Sequence, residues 1–349
     1  MPIQPNFLER TAFNLNLAPG VMLDLGGALA FHTLHLATQL GVFVTLAERP
    51  YTAPELAQKL NSHERGTEAL LLALAAIGYV TQQNGRFSNS SLVEKWMLAD
   101  DGFNLEAALT FWTAVFHDLS PHAIEVVQTG ERPYGNIYQW LADKPHLSHA
   151  FQQQLMANAT LSGMDAIKKL NLPKTATKLL DVGGGHGLFS IQFCQQYPGL
   201  RATVLDTPMA LRTAEQNVAQ HNLTERIHLQ SGDLWQEEWG DDYDAILLFN
   251  LIHHYDSAQN IELLRRCAAA LKPGGQVAIL DQIAGKVPGN AVNAVIRLIA
   301  LHYFLLADGR VYNHDDIQSW LQQTGFGEIK FHKMAKAPGT SLMIARKQS

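Results

Sequence analysis

The pattern of apolar and polar positions changes once along the chain, near Lys178. Before it, apolar positions recur at helical spacing. Residues 23–47 are mostly apolar and read as one helix buried against a partner surface. Thr52, Pro54 and Glu55 then form a T-x-x-E capping box for a helix ending near Leu60. Asn61 and Ser62 are the next capping candidates, ahead of a helix over 67–77 that stops at Gly78. The stretch YVTQQNGRFSNS follows, with Asn84-Gly85 supplying the two-residue turn of a hairpin. Helix, turn, helix and hairpin together predict a winged-helix module. Residues 105–116 and 151–170 read as helices, separated by a polar break at SPH and a loop TGERPYGN.

From Lys178 onward, short apolar strands alternate with helices, which predicts a parallel sheet covered on both faces. The strands are KLLDVG (178–183), ATVLD (202–206), IHLQSGD (227–233), DAILLFN (244–250) and QVAILDQ (276–282). Helices fill 188–197, 207–221, 259–271 and 316–325. LKPGG (271–275) marks a turn before the fifth strand. EIKFHKM and TSLMIARK close the chain as a pair of strands. The expected organisation is a first domain over 1–103 and a second over 104–349, with the sheet core starting near 178.

Composition narrows the function classes. The 349 residues are 47% hydrophobic and 17% charged, enough for large cores and outside the disordered class. A net charge of −6 disfavours nucleic acid or an anionic membrane as the main partner. A winged helix can bind DNA, but the helix body here, EALLLALAAIGYV, carries no basic residue to meet phosphates. Self-association is the better reading of such an apolar module. Cys194 and Cys267 have no metal-ligand spacing, so no metal site is expected. The start MPIQPNFLER is not a secretory signal, and a cytoplasmic enzyme is expected. The most apolar long stretch, 291–306, carries Arg297 and His302 and reads as a helix buried against protein.

LLDVGGGHG ends a strand and opens a helix, the place where open parallel sheets hold ligands. Gly183, Gly185 and Gly187 allow a sharp turn and a close backbone approach, with Asp181 two residues ahead. Leu188 stands where a dinucleotide fingerprint wants its last glycine. Asp206 ends the second strand, and a carboxylate there can accept from both hydroxyls of a ribose. Asp233 ends the third, in reach of an adenine amino group, and Asn250 ends the fourth, near a cofactor's reactive end.

LLDVGGGHG, VLDTP, SGDLW, NLIHHYD and LKPGG with VAILDQ appear in that order. In this the chain resembles the O-methyltransferase family related to caffeic acid and hydroxyindole O-methyltransferases. The resemblance covers nearly the whole chain. It implies a Rossmann-like class I methyltransferase sheet behind an N-terminal winged-helix dimerisation domain, and a homodimer. It also implies that S-adenosylmethionine is held by Gly183, Gly185, Asp206, Asp233 and Leu234. A basic residue common four positions before the family's histidine is here Phe249.

Methyl transfer from a sulfonium needs oxygen, methyl carbon and sulfur in line, with water excluded. His253 and His254 lie just past the fourth strand, and either imidazole can take a hydroxyl proton. The resemblance selects His253 as the general base, 14 positions before Cys267. It likens Asp281 to a strand-end glutamate that orients the base. The family's second flanking glutamate would fall at Val311 or Tyr312, neither of them an acid; Asp308 and Tyr312 are the available substitutes. Phe111, Trp112, His117, Met156, Asn158, His254 and Tyr303 are candidates for an acceptor pocket, and their aromatic content suits a planar phenolic acceptor. Carbon or nitrogen methylation, or pericyclic or decarboxylating chemistry on the same fold, are the alternatives. A DNA-binding regulator is a more distant one.

Overall fold

The computed structural model describes residues 5–98, 106–286, 289–334, 336–337 and 339–348. The expected domain boundary after residue 103 and the expected helix start at Leu105 lie outside these. Contacts divide the described chain into two compact units. One runs to Asp118 and takes in His149–Ala157; the other comprises Leu119–Ser148 and the chain from Asn158 on.

In the first unit, residues 23–47 form two helices instead of one, Val21–Gln39 and Val42–Glu48. The break falls at Gly41, whose φ of +74° is left-handed backbone that glycine adopts without penalty. The capping box at Thr52 and Glu55 starts helix Ala53–Lys59 as expected. The next helix, Glu64–Ala76, is capped at His63; Ser62 instead shares a 2.6 Å hydrogen bond with Thr67. Strands β1 (Val80–Gln83) and β2 (Arg86–Asn89) make the hairpin. Asn84 and Gly85 both have positive φ, as a two-residue turn matched to strand twist requires. Leu56, Leu71, Leu74, Val42 and Phe87 pack the core between these elements. Asn89 Nδ2 donates to Phe43 O at 2.8 Å and ties the hairpin to the second helix.

The second unit is a seven-stranded sheet. Its strands are β3 (Lys178–Val182), β4 (Arg201–Asp206), β5 (Ile227–Ser231), β6 (Tyr243–Phe249), β7 (Leu271–Gln282), β8 (Phe326–Lys333) and β9 (Thr340–Lys347). They lie in the order β5-β4-β3-β6-β7-β9-β8. All pairs are parallel except β9, which runs antiparallel between β7 and β8. The central strands are mostly apolar because helices bury both faces; every residue of β6 is buried, Asp244 included. LKPGG, expected as a turn, lies within β7, where the register against β6 shifts between Tyr243 and Ala245. Gly274 takes the positive φ there. Buried Asp244 accepts from the N–H groups of Thr177 (2.8 Å) and Lys178 (3.0 Å) and from the Lys272 ammonium, fixing the N-terminal ends of three strands.

The apolar stretch 291–306 forms helix Asn290–Ala307, but it is not buried as expected. Only Ile296 and Leu306 are buried, while Val295, Leu298 and Leu301 are exposed. It is long and apolar enough to cross a membrane by composition alone. An apolar pattern signals a demand for cover, not which surface supplies it. A single copy of the chain covers little of this helix.

Candidate active site

The strand order reverses at β3: β4 and β5 continue on one side of it, and β6 returns on the other. Such a switch point opens a crevice beyond the strands' carboxyl ends. The glycine loop after β3 and the histidines after β6 both lie there.

Gly183, Gly185 and Gly187 have φ of +69°, +48° and +72°. A Cβ on Gly183 would lie 2.6 Å from Leu251 Cδ1, so the loop packs directly against the chain leaving β6. Gly185 N–H donates to Asp206 Oδ2 (2.8 Å), and Thr207 N–H to Asp206 Oδ1 (2.7 Å). Each carboxylate oxygen has a second acceptor direction, which leaves Asp206 able to take ribose hydroxyls. Burial pushes its carboxyl up despite these bonds.

Asp181 is 1% exposed. Ser190 Oγ donates to its Oδ2 at 2.8 Å, while Oδ1 is buried without a partner. Burial raises the carboxyl to about 7. An orphaned buried acceptor beside a glycine cradle fits a ligand that brings a cationic group, and the ammonium and sulfonium of S-adenosylmethionine are such groups.

Asp233, expected at the end of its strand, lies two residues past Ser231, exposed, and accepts from Trp235 N–H at 2.9 Å. Leu234 is partly buried against the core, and the Trp235 ring meets Tyr255 edge-on at 5.1 Å. Asn250 has φ +53° and donates its N–H to Leu280 O at 2.7 Å, a constrained backbone where the chain turns out of β6. Phe249 is buried edge-on against Phe189, so the position four before His253 offers a ligand no charge.

His253 sits in the short helical turn Ile252–His254. Its Nδ1 lies 2.9 and 3.0 Å from the two oxygens of Asp281, which is 1% exposed. Gln282 N–H donates to Asp281 Oδ1 at 2.8 Å and fixes the carboxylate. A carboxylate oxygen accepts, so Nδ1 is the donor in this pair and Nε2 is the ring nitrogen left to meet a ligand. Buried Asn260 pins the turn by donating to Ile252 O and Tyr255 O. The His254 ring centre lies 4.1 Å from that of His253, the planes tilted by 48°, and burial pushes His254 down to about 3, so it stays neutral. Tyr138 OH lies 3.4 Å from His254 Nε2.

Among the described residues, neither expected substitute supplies a second acid beside His253. Tyr312 OH donates to Tyr255 O at 2.6 Å. The Asp308 carboxylate is engaged by Arg132 (3.3 Å) and Arg310 (3.9 Å). Tyr303 instead stacks on His253, its ring centroid 4.3 Å away.

The other acceptor candidates divide between the two units. Phe111, Trp112, His117 and Met156 belong to the first unit. Phe111 is 1% exposed there, its ring against Phe151 and Trp112. The His117 side chain is 86% exposed and pairs with Asp118. Asn158 is in the second unit, its carbonyl accepting from Ser162. Sequence reasoning missed Ser190, Tyr138, Asn260 and Gln282. Each is an ordinary polar residue on an apolar element, and only its partner distinguishes it.

A family model described as the O-methyltransferase domain matches residues 119–327, and one described as the O-methyltransferase dimerisation domain matches residues 24–98. The chain is 28% identical over 335 residues, 94% of each chain, to the 3-hydroxy-5-methyl-1-naphthoate 3-O-methyltransferase of Streptomyces sahachiroi. It is 25% identical to the L-tyrosine C(3)-methyltransferase of Streptomyces lavendulae, over 90% of this chain and 88% of that one. In fold it is similar to human N-acetylserotonin methyltransferase solved with S-adenosylmethionine, with a TM-score of 0.79, 20% identity and full coverage of both chains. The domain match spans more than half of the chain and agrees with the strand order and the carboxylates at the switch point. The chain therefore belongs to the O-methyltransferase family and is an S-adenosylmethionine-dependent enzyme.

Proposed function

We propose that the enzyme methylates a phenolic hydroxyl of a small aromatic acceptor, with His253 as general base and Asp281 as its positioning residue. The buried His253–Asp281 pair, at the switch point beside the glycine loop, carries this reading. When bound, S-adenosylmethionine supplies an electrophilic methyl group on a sulfonium. Gly183 and Gly185 leave backbone room for it, Asp206 accepts from its ribose, and Asp181 faces its positive charge. Asp233 and Leu234 border its adenine, and Asn250 shapes the turn at its reactive end.

A phenol titrates near 10, so only about one molecule in a thousand is ionised at neutral pH. His253 Nε2 takes the hydroxyl proton as the oxygen attacks, and the Asp281 carboxylate steadies the imidazolium that forms. Such base catalysis is worth about 10²–10⁴ in rate. His254 and Tyr138 face the acceptor from this unit. The reading includes a homodimer built through residues 24–98 and a cytoplasmic setting. An aromatic acceptor is supported by the naphthoate named for the Streptomyces sahachiroi relative.

The test is methyl transfer from labelled S-adenosylmethionine to a panel of phenols, read by mass spectrometry. His253→Ala should lose at least about 100-fold in kcat on phenols titrating near 10. It should lose little on phenols acidic enough to arrive ionised. Equal loss on both kinds, or none, would overturn the base. A methyl on the carbon beside the hydroxyl would favour C-methylation instead, as the L-tyrosine C(3)-methyltransferase relative is named for.

A further inference from the structure

We infer that Tyr303 is a second positioning residue for the base, holding one face of the imidazole while Asp281 holds its edge. The inference rests on the reading of His253 as general base. The two rings stack with centroids 4.3 Å apart and planes 25° from parallel. An aromatic face carries partial negative charge and attracts a cation within about 6 Å of its centre. The imidazole becomes cationic only as it takes the acceptor's proton. The contact therefore strengthens on the way to the transition state, which raises kcat and leaves ground-state binding alone. His254, the other ring close to His253, is kept neutral by burial and adds no opposing charge.

The stack is fixed by the same elements that fix the edge. Tyr303 OH donates to Gln282 Oε1, and Gln282 Nε2 donates to Thr340 Oγ1 at 3.1 Å. Gln282 is the residue after Asp281, so neighbours at one strand end anchor both supports. The backbone joins the two ring-bearing segments directly. Gly309 N–H donates to Tyr303 O (2.9 Å), and Arg310 N–H donates to His253 O (2.8 Å). A Cβ at Gly309 would stand 3.0 Å from Tyr303 Cβ and 3.1 Å from His253 O, so a side chain there would press on both ring-bearing segments. Arg132 Nε donates to Phe304 O (3.0 Å) and Tyr134 OH to Leu305 O (2.6 Å), holding the end of the helix that carries Tyr303.

The experiment compares Tyr303→Phe, Tyr303→Leu and Gly309→Ala with the parent enzyme. It measures kcat, acceptor KM and S-adenosylmethionine affinity on weakly and strongly acidic phenols, with thermal melting to check folding. Tyr303→Leu should lower kcat about tenfold on weakly acidic phenols, a change of ~1.4 kcal/mol in the barrier. KM, cofactor affinity and turnover of strongly acidic phenols should hold. Tyr303→Phe keeps the ring but loses the bond to Gln282, and should fall between the parent and Tyr303→Leu on weakly acidic phenols; a loss as large as that of Tyr303→Leu would count against the ring face. Gly309→Ala should act like Tyr303→Leu although both rings remain. An unchanged kcat in Tyr303→Leu, or an equal loss on all acceptors, overturns the inference. If His253→Ala itself shows no dependence on acceptor acidity, the base reading fails first, and the two failures are told apart by that variant.

Discussion

Replacing Asp281 by Asn removes one charge from a buried site and changes almost nothing else in shape. In the native pair, Nδ1 of His253 lies 2.9 and 3.0 Å from the two carboxylate oxygens. Oδ1 also accepts Gln282 N–H at 2.8 Å, so the amide oxygen of the introduced side chain would take that position. The NH₂ then falls where Oδ2 stood and meets Nδ1–H donor against donor. The charge term can be sized as well. Imidazolium and carboxylate with centres about 4 Å apart attract by about 4 kcal/mol at an effective dielectric of 20. With the proton half transferred in the transition state, about half of that is realised, a factor of about 30 in rate; with full transfer the factor is about 10³. We expect Asp281→Asn to lower kcat roughly 30- to 1,000-fold in single-turnover methyl transfer. Cofactor affinity measured by calorimetry should stay within twofold. A kcat within threefold of the parent, or a loss traced wholly to cofactor affinity, would refute the role of the carboxylate.

Four further outcomes follow from the geometry. Gly183→Ala places a side chain at φ +69° and 2.6 Å from Leu251, and should cost about 1–2 kcal/mol of stability with weaker cofactor binding; unchanged calorimetry and melting would count against the cradle. Asp206→Ala removes the acceptor for Gly185 N–H and the expected ribose acceptor, and should weaken the cofactor about 10–100-fold, as loss of charged hydrogen bonds does; titration of S-adenosylmethionine decides it. Asp181 is raised to about 7 from an unfolded value near 3.8, so the native state binds the extra proton and stability falls as pH rises from about 4 through 7. Asp181→Asn should flatten that fall in denaturant melts at pH 5 and 8, and parallel curves for parent and variant would contradict it. Asp244→Ala strands two backbone N–H groups and should cost about 2–4 kcal/mol in chemical denaturation while cofactor affinity is retained; a smaller cost would remove Asp244 as the strand anchor.

The sequence by itself determined the strand-and-helix alternation after Lys178, the capping box at Thr52, the Asn84-Gly85 hairpin and the glycine loop after β3. These features are local: period, turn chemistry and helix caps are written within a few residues, and a parallel sheet follows once both faces of its strands must be apolar. The pairing of His253 with Asp281 was legible only through family resemblance, because nothing local joins residues 28 positions apart. Tertiary structure alone decided that the Tyr303 ring stacks on His253, that Asp308 is turned to Arg132 and Arg310, and that Tyr312 is spent on Tyr255 O. It also decided that helix Asn290–Ala307 is largely uncovered. Composition tells how much a segment gains from burial, but which surface meets it is settled by chain paths that bring distant segments together.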